Sequence, residues 1–424
     1  MTYLPRIVDQ QLDDLLEGLP AIALVGPKAV GKTETASRRA KTILDLGDEF
    51  ELRLAQTDPQ RLTRVERPVL VDEWQVHPPI WDTVRRAVDR GAGPGDFLLT
   101  GSASPSQKPM HSGAGRIVQL RMRPMSLAER GIAKATVSLA ALLSGTRPDI
   151  SGDSTVGLES YVDEIVASGF PGIRQLAPRF RADALDGYLN AVVDRDFQEL
   201  GHTVRRPGSL RAWLRAFAAA TSTTASYNSI LEAATPGDAD KPARTTTTTY
   251  RELLQRMWLA EEIPAWTGLG SIMTALGVAP KHQLCDPALA ARLLNVSGDA
   301  LLTKANPSAI PLPRNGSLVG ALFESLTTQS IQVYADANRA RVSHLRTNRG
   351  DHEVDLIVER GDGKVVAVEV KLTALPDGND VKHLRWLQDK LGDDLLDAVV
   401  VTSGPAAYRR EDGIAVVPLA LLGV

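Results

Sequence analysis

The segment Gly26-Pro27-Lys28-Ala29-Val30-Gly31-Lys32-Thr33 fits the pattern G-x-x-x-x-G-K-[ST]. A loop of this kind cradles phosphate groups, because its glycines let backbone N–H groups turn toward the phosphate oxygens and the following helix N-terminus adds partial positive charge. In that geometry Lys32 reaches the β- and γ-phosphates of a nucleoside triphosphate such as ATP, and the Thr33 hydroxyl ligates Mg²⁺. Lys28 reads as a solvated loop charge rather than a second phosphate ligand. A chance match in a chain of this composition has a probability of about one in a hundred, and less once a preceding strand is required. Downstream, the apolar run Val69-Leu70-Val71 ends in Asp72-Glu73. That pair suits one acid holding Mg²⁺ through water and a neighbour orienting the attacking water.

A second set of groups lies near the other end. Asp355 sits in Glu353-Val354-Asp355-Leu356-Ile357 and is followed by Val368-Glu369-Val370-Lys371, with Glu324 upstream in Leu322-Phe323-Glu324. Glu369 and Lys371 are two apart on a predicted strand and share a face. As bare spacing this is weak, since an Asp followed by E-x-K is expected about once by chance in a chain this long. Neighbouring buried carboxylates are costly unless a cation neutralises them, and a metal is the simplest reason to tolerate the set. The alternative is a set of charges that are solvated or paired. His344, His352 and His383 lack the spacing of a zinc site.

These residues need elements to position them. With 424 residues the chain has length for two to four cores, and 43% apolar against 23% charged residues is the balance of a folded soluble protein. No run approaches 18 apolar residues, the first residues lack the apolar stretch of a signal peptide, and the single Cys285 reads as a buried apolar side chain, so a cytoplasmic protein away from the membrane is expected. A net charge of −3 excludes a globally basic nucleic-acid coat. Apolar runs at Ala21 to Val25, Pro68 to Val71 and Phe97 to Thr100 alternate with helical patterns, which predicts a doubly wound α/β domain over 1–125. Residues 126–305 carry mostly the 3.6 period and read as a helical region. A Pro- and Gly-rich stretch at 306–316 reads as a linker, and 317–424 as a small α/β domain.

The first domain resembles the AAA+ ATPases, specifically a prokaryotic group. The resemblance rests on the phosphate loop, on Asp72-Glu73-Trp74-Gln75, on Leu98-Leu99-Thr100-Gly101-Ser102, and on Gly113-Ala114-Gly115-Arg116. It implies ATP as ligand, Thr100 or Ser102 as a polar sensor, and Arg116 as an arginine finger in cis or from a second copy; a solvated arginine is the equal alternative. Within the middle region, Arg205 to Trp258 holds eight Lys and Arg against four acids. Thr221 to Leu231 followed by Arg244 to Leu254 resembles a winged helix-turn-helix, which implies DNA contact, while Trp258, Trp266 and Tyr250 read as core. Ser168-Gly169-Phe170-Pro171-Gly172 and Tyr188 to Asp196 recur in the same group without chemistry of their own. Residues 317–424 resemble the PD-(D/E)xK nuclease superfamily, a restriction-endonuclease-like α/β fold. That resemblance implies Asp355, Glu369 and Glu324 as metal ligands and Lys371 beside the attacking water. The expectation is an Mg²⁺-dependent, ATP-hydrolysing protein coupled to DNA engagement or cleavage, with ATP and ADP, DNA, a protein or a second copy as partners. Its alternative is a nucleotide-gated DNA- or protein-binding switch with an inactive nuclease fold.

Overall fold

The computed structural model describes residues 3–103, 113–234, 242–268, 278–302, 318–347 and 350–424. The linker expected at 306–316 and Lys241 of the basic cluster lie outside them.

Five parallel strands open the chain: β1 (Ala21–Val25), β2 (Thr42–Asp45), β3 (Val69–Asp72), β4 (Phe97–Gly101) and β5 (Val118–Arg121), in the order β2-β3-β4-β1-β5. All five residues of β1 are buried, because helices cover both faces and each residue meets a core whichever way it points. Ala21, Ala23 and Val25 join Val69, Val71, Phe97, Leu99 and Trp81 on one side, while Ile22, Leu70 and Leu98 meet Leu12 and Ala36 on the other. The adjacency of β1, β4 and β3 sets three strand ends side by side, where a doubly wound sheet presents its ligand crevice. The two edge strands escaped the sequence reading because they are short and partly exposed, with only Leu44 buried in β2 and no residue fully buried in β5.

The middle region is largely helical. Helices Pro207–Ala219, Tyr227–Ala234 and Arg244–Arg256 are followed by an antiparallel hairpin of β8 (Ala260–Ile263) and β9 (Lys281–Leu284), after two two-residue strands described below as β6 and β7. Tyr250 is core: its ring meets Trp213 edge-on at 5.8 Å and Phe197 at 5.9 Å. Trp258 lies under the Arg121 guanidinium, 4.9 Å from its centroid, and Trp266 donates its indole N–H to Glu359 at 2.7 Å. Cys285 is buried and unpaired.

The last domain holds β10 (Arg341–Arg346), β11 (Glu353–Glu359), β12 (Val365–Lys371), β13 (Leu395–Thr402), β14 (Ala406–Arg409), β15 (Ala415–Pro418) and β16 (Leu422–Gly423). Its sheet runs β10-β11-β12-β13-β15-β14-β7, where β7 is Gly152–Asp153, and β16 pairs in parallel with β6, Val137–Ser138. Helix Leu318–Ala337 packs against β10 and β12, and helix Lys382–Leu391 packs against β11, β12 and β13. Within the region read from sequence as helical, β7 therefore extends the C-terminal sheet, and β6 pairs with β16 in a separate two-stranded ladder. Two-residue strands are too short to show any period. Among the described residues no helix is long and apolar enough to cross a membrane.

Candidate functional site

The loop between β1 and helix Lys32–Ser37 is folded tightly onto the start of the segment after β5. Gly26 has φ +155°, and a Cβ there would stand 2.1 Å from the Met122 carbonyl oxygen, so only glycine fits. Gly26→Ala is expected to cost at least about 1–3 kcal/mol and to displace the loop. Urea denaturation beside a nucleotide-binding titration checks this, and an unchanged midpoint would contradict it. Lys32 is 5% exposed, and its ammonium donates to the Gly26 and Pro27 carbonyls at 2.9 and 2.8 Å. Burial lowers its pKa to about 8, with Glu73 and Asp72 opposing the shift.

Asp72, at the end of β3, is the acceptor for two hydroxyls: Thr33 donates at 3.0 Å and Thr100, at the end of β4, makes a close contact to the same oxygen. A hydroxyl beside a buried carboxylate is a hard-oxygen pair of the type Mg²⁺ takes when phosphates and water complete its shell, so the residues present fit this ion. Glu73 lies one residue beyond, held in the left-handed region at φ +52°. Its carboxylate accepts from Gln75 and, at 3.1 Å, from Ser102, while Gln75 also donates to Ser102 at 3.2 Å. Gly101 is required between the two hydroxyl residues, since a Cβ would lie 2.7 Å from the Trp74 indole nitrogen.

A cavity of about 260 Å³ opens beside Glu73, and its walls come from two regions: Lys28, Glu73, Gln75 and Ser102 from the first, Tyr188 and Met257 among others from the second. Lys28 is partly exposed but paired. It donates to Asp196 at 2.7 Å and to Glu199 at 3.0 Å, tying the loop to the middle region. The Tyr188 to Asp196 segment thus has a place at the site. In the other segment Gly169 N–H and the Ser168 hydroxyl both donate to Asp286 at 2.7 Å, and Phe170 packs on Tyr188. A second cavity of about 390 Å³ lies on the far side of the loop, lined by Tyr3, Leu4, Gly31, Thr35, Pro171 and Gln175. Arg116 lines neither. It is about half exposed and pairs with Asp89 at 2.9 Å.

The C-terminal carboxylates meet a residue that spacing did not reveal. Lys281, the first residue of β9, is 2% exposed, and its ammonium lies 2.8 Å from Asp355 Oδ1, 2.9 Å from Glu324 Oε1 and 3.9 Å from Glu353. The other Asp355 oxygen accepts from Val370 N–H at 2.9 Å. Glu369 turns instead to Lys371 at 2.7 Å, and its second oxygen has no partner. Burial, reinforced by the Asp355 charge, pushes the Glu324 and Glu369 carboxyls up to about 8. Burial would raise Asp355 as well, but Lys281 and Lys371 hold it below the usual carboxylate range. Among the described residues no group of three or more His, Cys, Asp or Glu is arranged to hold a metal ion. Glu324, Asp355 and Glu369, expected as one ligand set for Mg²⁺ or Mn²⁺, stand here against two ammonium groups: Lys281 sits between the first two, and the third faces Lys371.

The hairpin also ties the two ends of the chain together. Glu261 on β8 accepts from Arg121 at 2.7 and 2.9 Å and from Arg123 at 2.7 Å, and Arg123 pairs in turn with Asp336 of helix Leu318–Ala337. Two buried guanidiniums hold the Glu261 carboxyl down to about 2 although burial alone would raise it.

Residues 19–130 match the family model described as an AAA domain, while 158–300 and 319–422 each match a model described as a domain of unknown function. Uncharacterised proteins of Mycobacterium tuberculosis and Mycobacterium bovis are 23% identical over 416 residues, covering 95% of this chain and 81% of each relative. A solved Walker-type ATPase of Pyrococcus abyssi aligns with 67% of this chain and 94% of its own at 16% identity and a TM-score of 0.38. The glycine-bound loop and the Thr33–Asp72–Thr100 cluster lie within residues 19–130, the segment that matches the AAA domain model.

Proposed function

We propose that the chain hydrolyses ATP with Mg²⁺ at the Gly26–Thr33 loop and uses the nucleotide state to gate its engagement of DNA. Lys32, now on the Gly26 and Pro27 carbonyls, would meet the β- and γ-phosphates of a bound triphosphate, and Thr33 and Asp72 would hold Mg²⁺. Mg²⁺ supplies neutralisation of charge developing on the phosphates. Glu73, fixed by Gln75 and Ser102, orients the attacking water, and Thr100 keeps Asp72 in place. The cavity bordered by Tyr3, Leu4 and Pro171 offers apolar surface to the adenine ring. Arg116 is exposed enough to reach a second copy's nucleotide.

The observation that carries the gating is the shared wall. Lys28 of the phosphate loop is held by Asp196 and Glu199, and Met257 and Leu259 at the foot of the hairpin line the cavity beside Glu73. A triphosphate in the loop competes with those two acids for Lys28, which gives the ligand a different interaction energy in the two arrangements, the requirement for a population shift. Three helices followed by a hairpin support the winged-helix reading. Helix Arg244–Arg256 exposes Arg244, Thr245 and Thr248, donors suited to phosphate oxygens. The switch is favoured over cleavage because Lys281 occupies the C-terminal carboxylates.

Anisotropy titrations of labelled duplex DNA with ADP, with a non-hydrolysable ATP analogue and without nucleotide test the proposal. Affinity should differ between nucleotide states, fall steeply with salt, and lose its nucleotide dependence in Lys32→Ala. Equal affinity in all three states would overturn the gating.

A further inference from the structure

We infer that Lys281 is the resident cation of the C-terminal carboxylate cluster, so that this cluster takes no divalent metal and instead serves as a socket fastening the middle hairpin to the last domain.

The geometry leaves little room for an ion. A hard divalent cation asks for about six oxygen donors and near-ideal geometry if it is Mg²⁺. Asp355 spends one oxygen on Lys281 and the other on the Val370 N–H, Glu324 gives an oxygen to Lys281, and Glu369 gives one to Lys371. Glu369 keeps one unpartnered oxygen, and two ammonium groups stand beside the cluster. A metal would have to expel Lys281, and the surrounding backbone opposes that. His282 N–H donates to Thr223 at 2.9 Å, Ser222 N–H donates to His282 at 2.8 Å, and the Gln283 amide donates to Ser222 at 3.0 Å, so β9 is pinned on the middle-region side. Toward the C-terminal domain, His344 N–H donates to the Pro264 carbonyl at 2.9 Å and Trp266 N–H to the His344 carbonyl at 2.7 Å.

The energetics agree with a permanent role. A lone buried ammonium is strongly unfavourable, as is a buried carboxylate without a cation, so each side of this contact is stable only while the other is present. The pairing therefore adds a buried charge contact to the backbone bonds between these two regions, with charges complementary enough to fix one register of the hairpin against β10 and β11.

The experiment uses the full chain without nucleotide. Mn²⁺ binding followed by electron paramagnetic resonance should show no site in the wild type that Asp355→Asn removes. In parallel, Lys281→Met should lower Tm by roughly 10 °C, and adding Asp355→Asn should recover at least half of that loss, because the second change removes the carboxylate stranded by the first. An Asp355-dependent Mn²⁺ site in the wild type would overturn the inference. So would a Lys281→Met loss that Asp355→Asn fails to recover, or a melting temperature indifferent to Lys281. If Lys281→Met does not fold, recovery of folded protein in the double variant supports the inference and its absence overturns it.

Discussion

Glu73→Gln should slow ATP turnover by about 10²- to 10⁴-fold while leaving nucleotide affinity within a few-fold of the wild type. Gln keeps the size and one acceptor oxygen, so the contacts to Gln75 and Ser102 can reform, but the amide cannot draw a proton from water. Lys32→Ala differs in kind: it removes the group expected to meet the phosphates, and both binding and turnover should fall. Phosphate release at saturating Mg²⁺ and ATP, set beside an equilibrium binding curve, separates the two effects. Turnover unchanged in Glu73→Gln would remove Glu73 from the mechanism. Parallel losses of affinity and rate would make it a binding residue.

Glu261→Ala carries the largest expected effect on stability, about 3–5 kcal/mol, because it leaves Arg121 and Arg123 buried without their shared partner. Asp336 still faces Arg123 in that variant, so the unpaired charge falls mainly on Arg121. The same contact sets a pH dependence. A carboxyl held at about 2 when folded and near its ordinary 4.5 when unfolded stabilises the protein fully above the unfolded value, and that contribution is lost as pH falls from there toward 2. Melting curves from neutral pH into the acid range should show a steeper decline for the wild type than for Glu261→Ala, with the two converging at the acid end. Parallel curves would contradict the assignment.

What could be read from the sequence was what local pattern encodes. The phosphate loop, Asp72 and Glu73 stand within a strand–loop–helix unit, and β1, β3 and β4 are marked as apolar runs because both faces of the sheet are covered. Spacing could not reveal partners brought together by tertiary contacts. Lys281 and Asp355 are 74 residues apart, and Lys28 and Asp196 are 168 apart. A buried lysine looks like any surface lysine until the fold supplies its carboxylates. For the same reason the carboxylates at 324, 355 and 369 suggested a metal: the sequence displays the anions as a motif, while the neutralising cation arrives on a different element. The Tyr188 to Asp196 segment was recognised without a role because its role is to face another region's lysine.

The pairing of β6 and β7 with the far end of the chain has a consequence for synthesis. Val137 lies opposite Leu422 and Asp153 opposite Ala406, with Arg409 reaching the Pro148 carbonyl at 2.8 Å. At about 5–20 residues per second, a ribosome needs roughly 10–50 s to make the about 250 residues that separate β7 from its partner strand. The phosphate-binding sheet can close early in that interval, since its strands end at Arg121. The strands β6 and β7 must wait with unpaired backbone groups, the condition in which a nascent chain is most open to wrong pairing and to chaperones. Full-length chains, rather than those halted before residue 406, should therefore be the first to protect these strands from proteases.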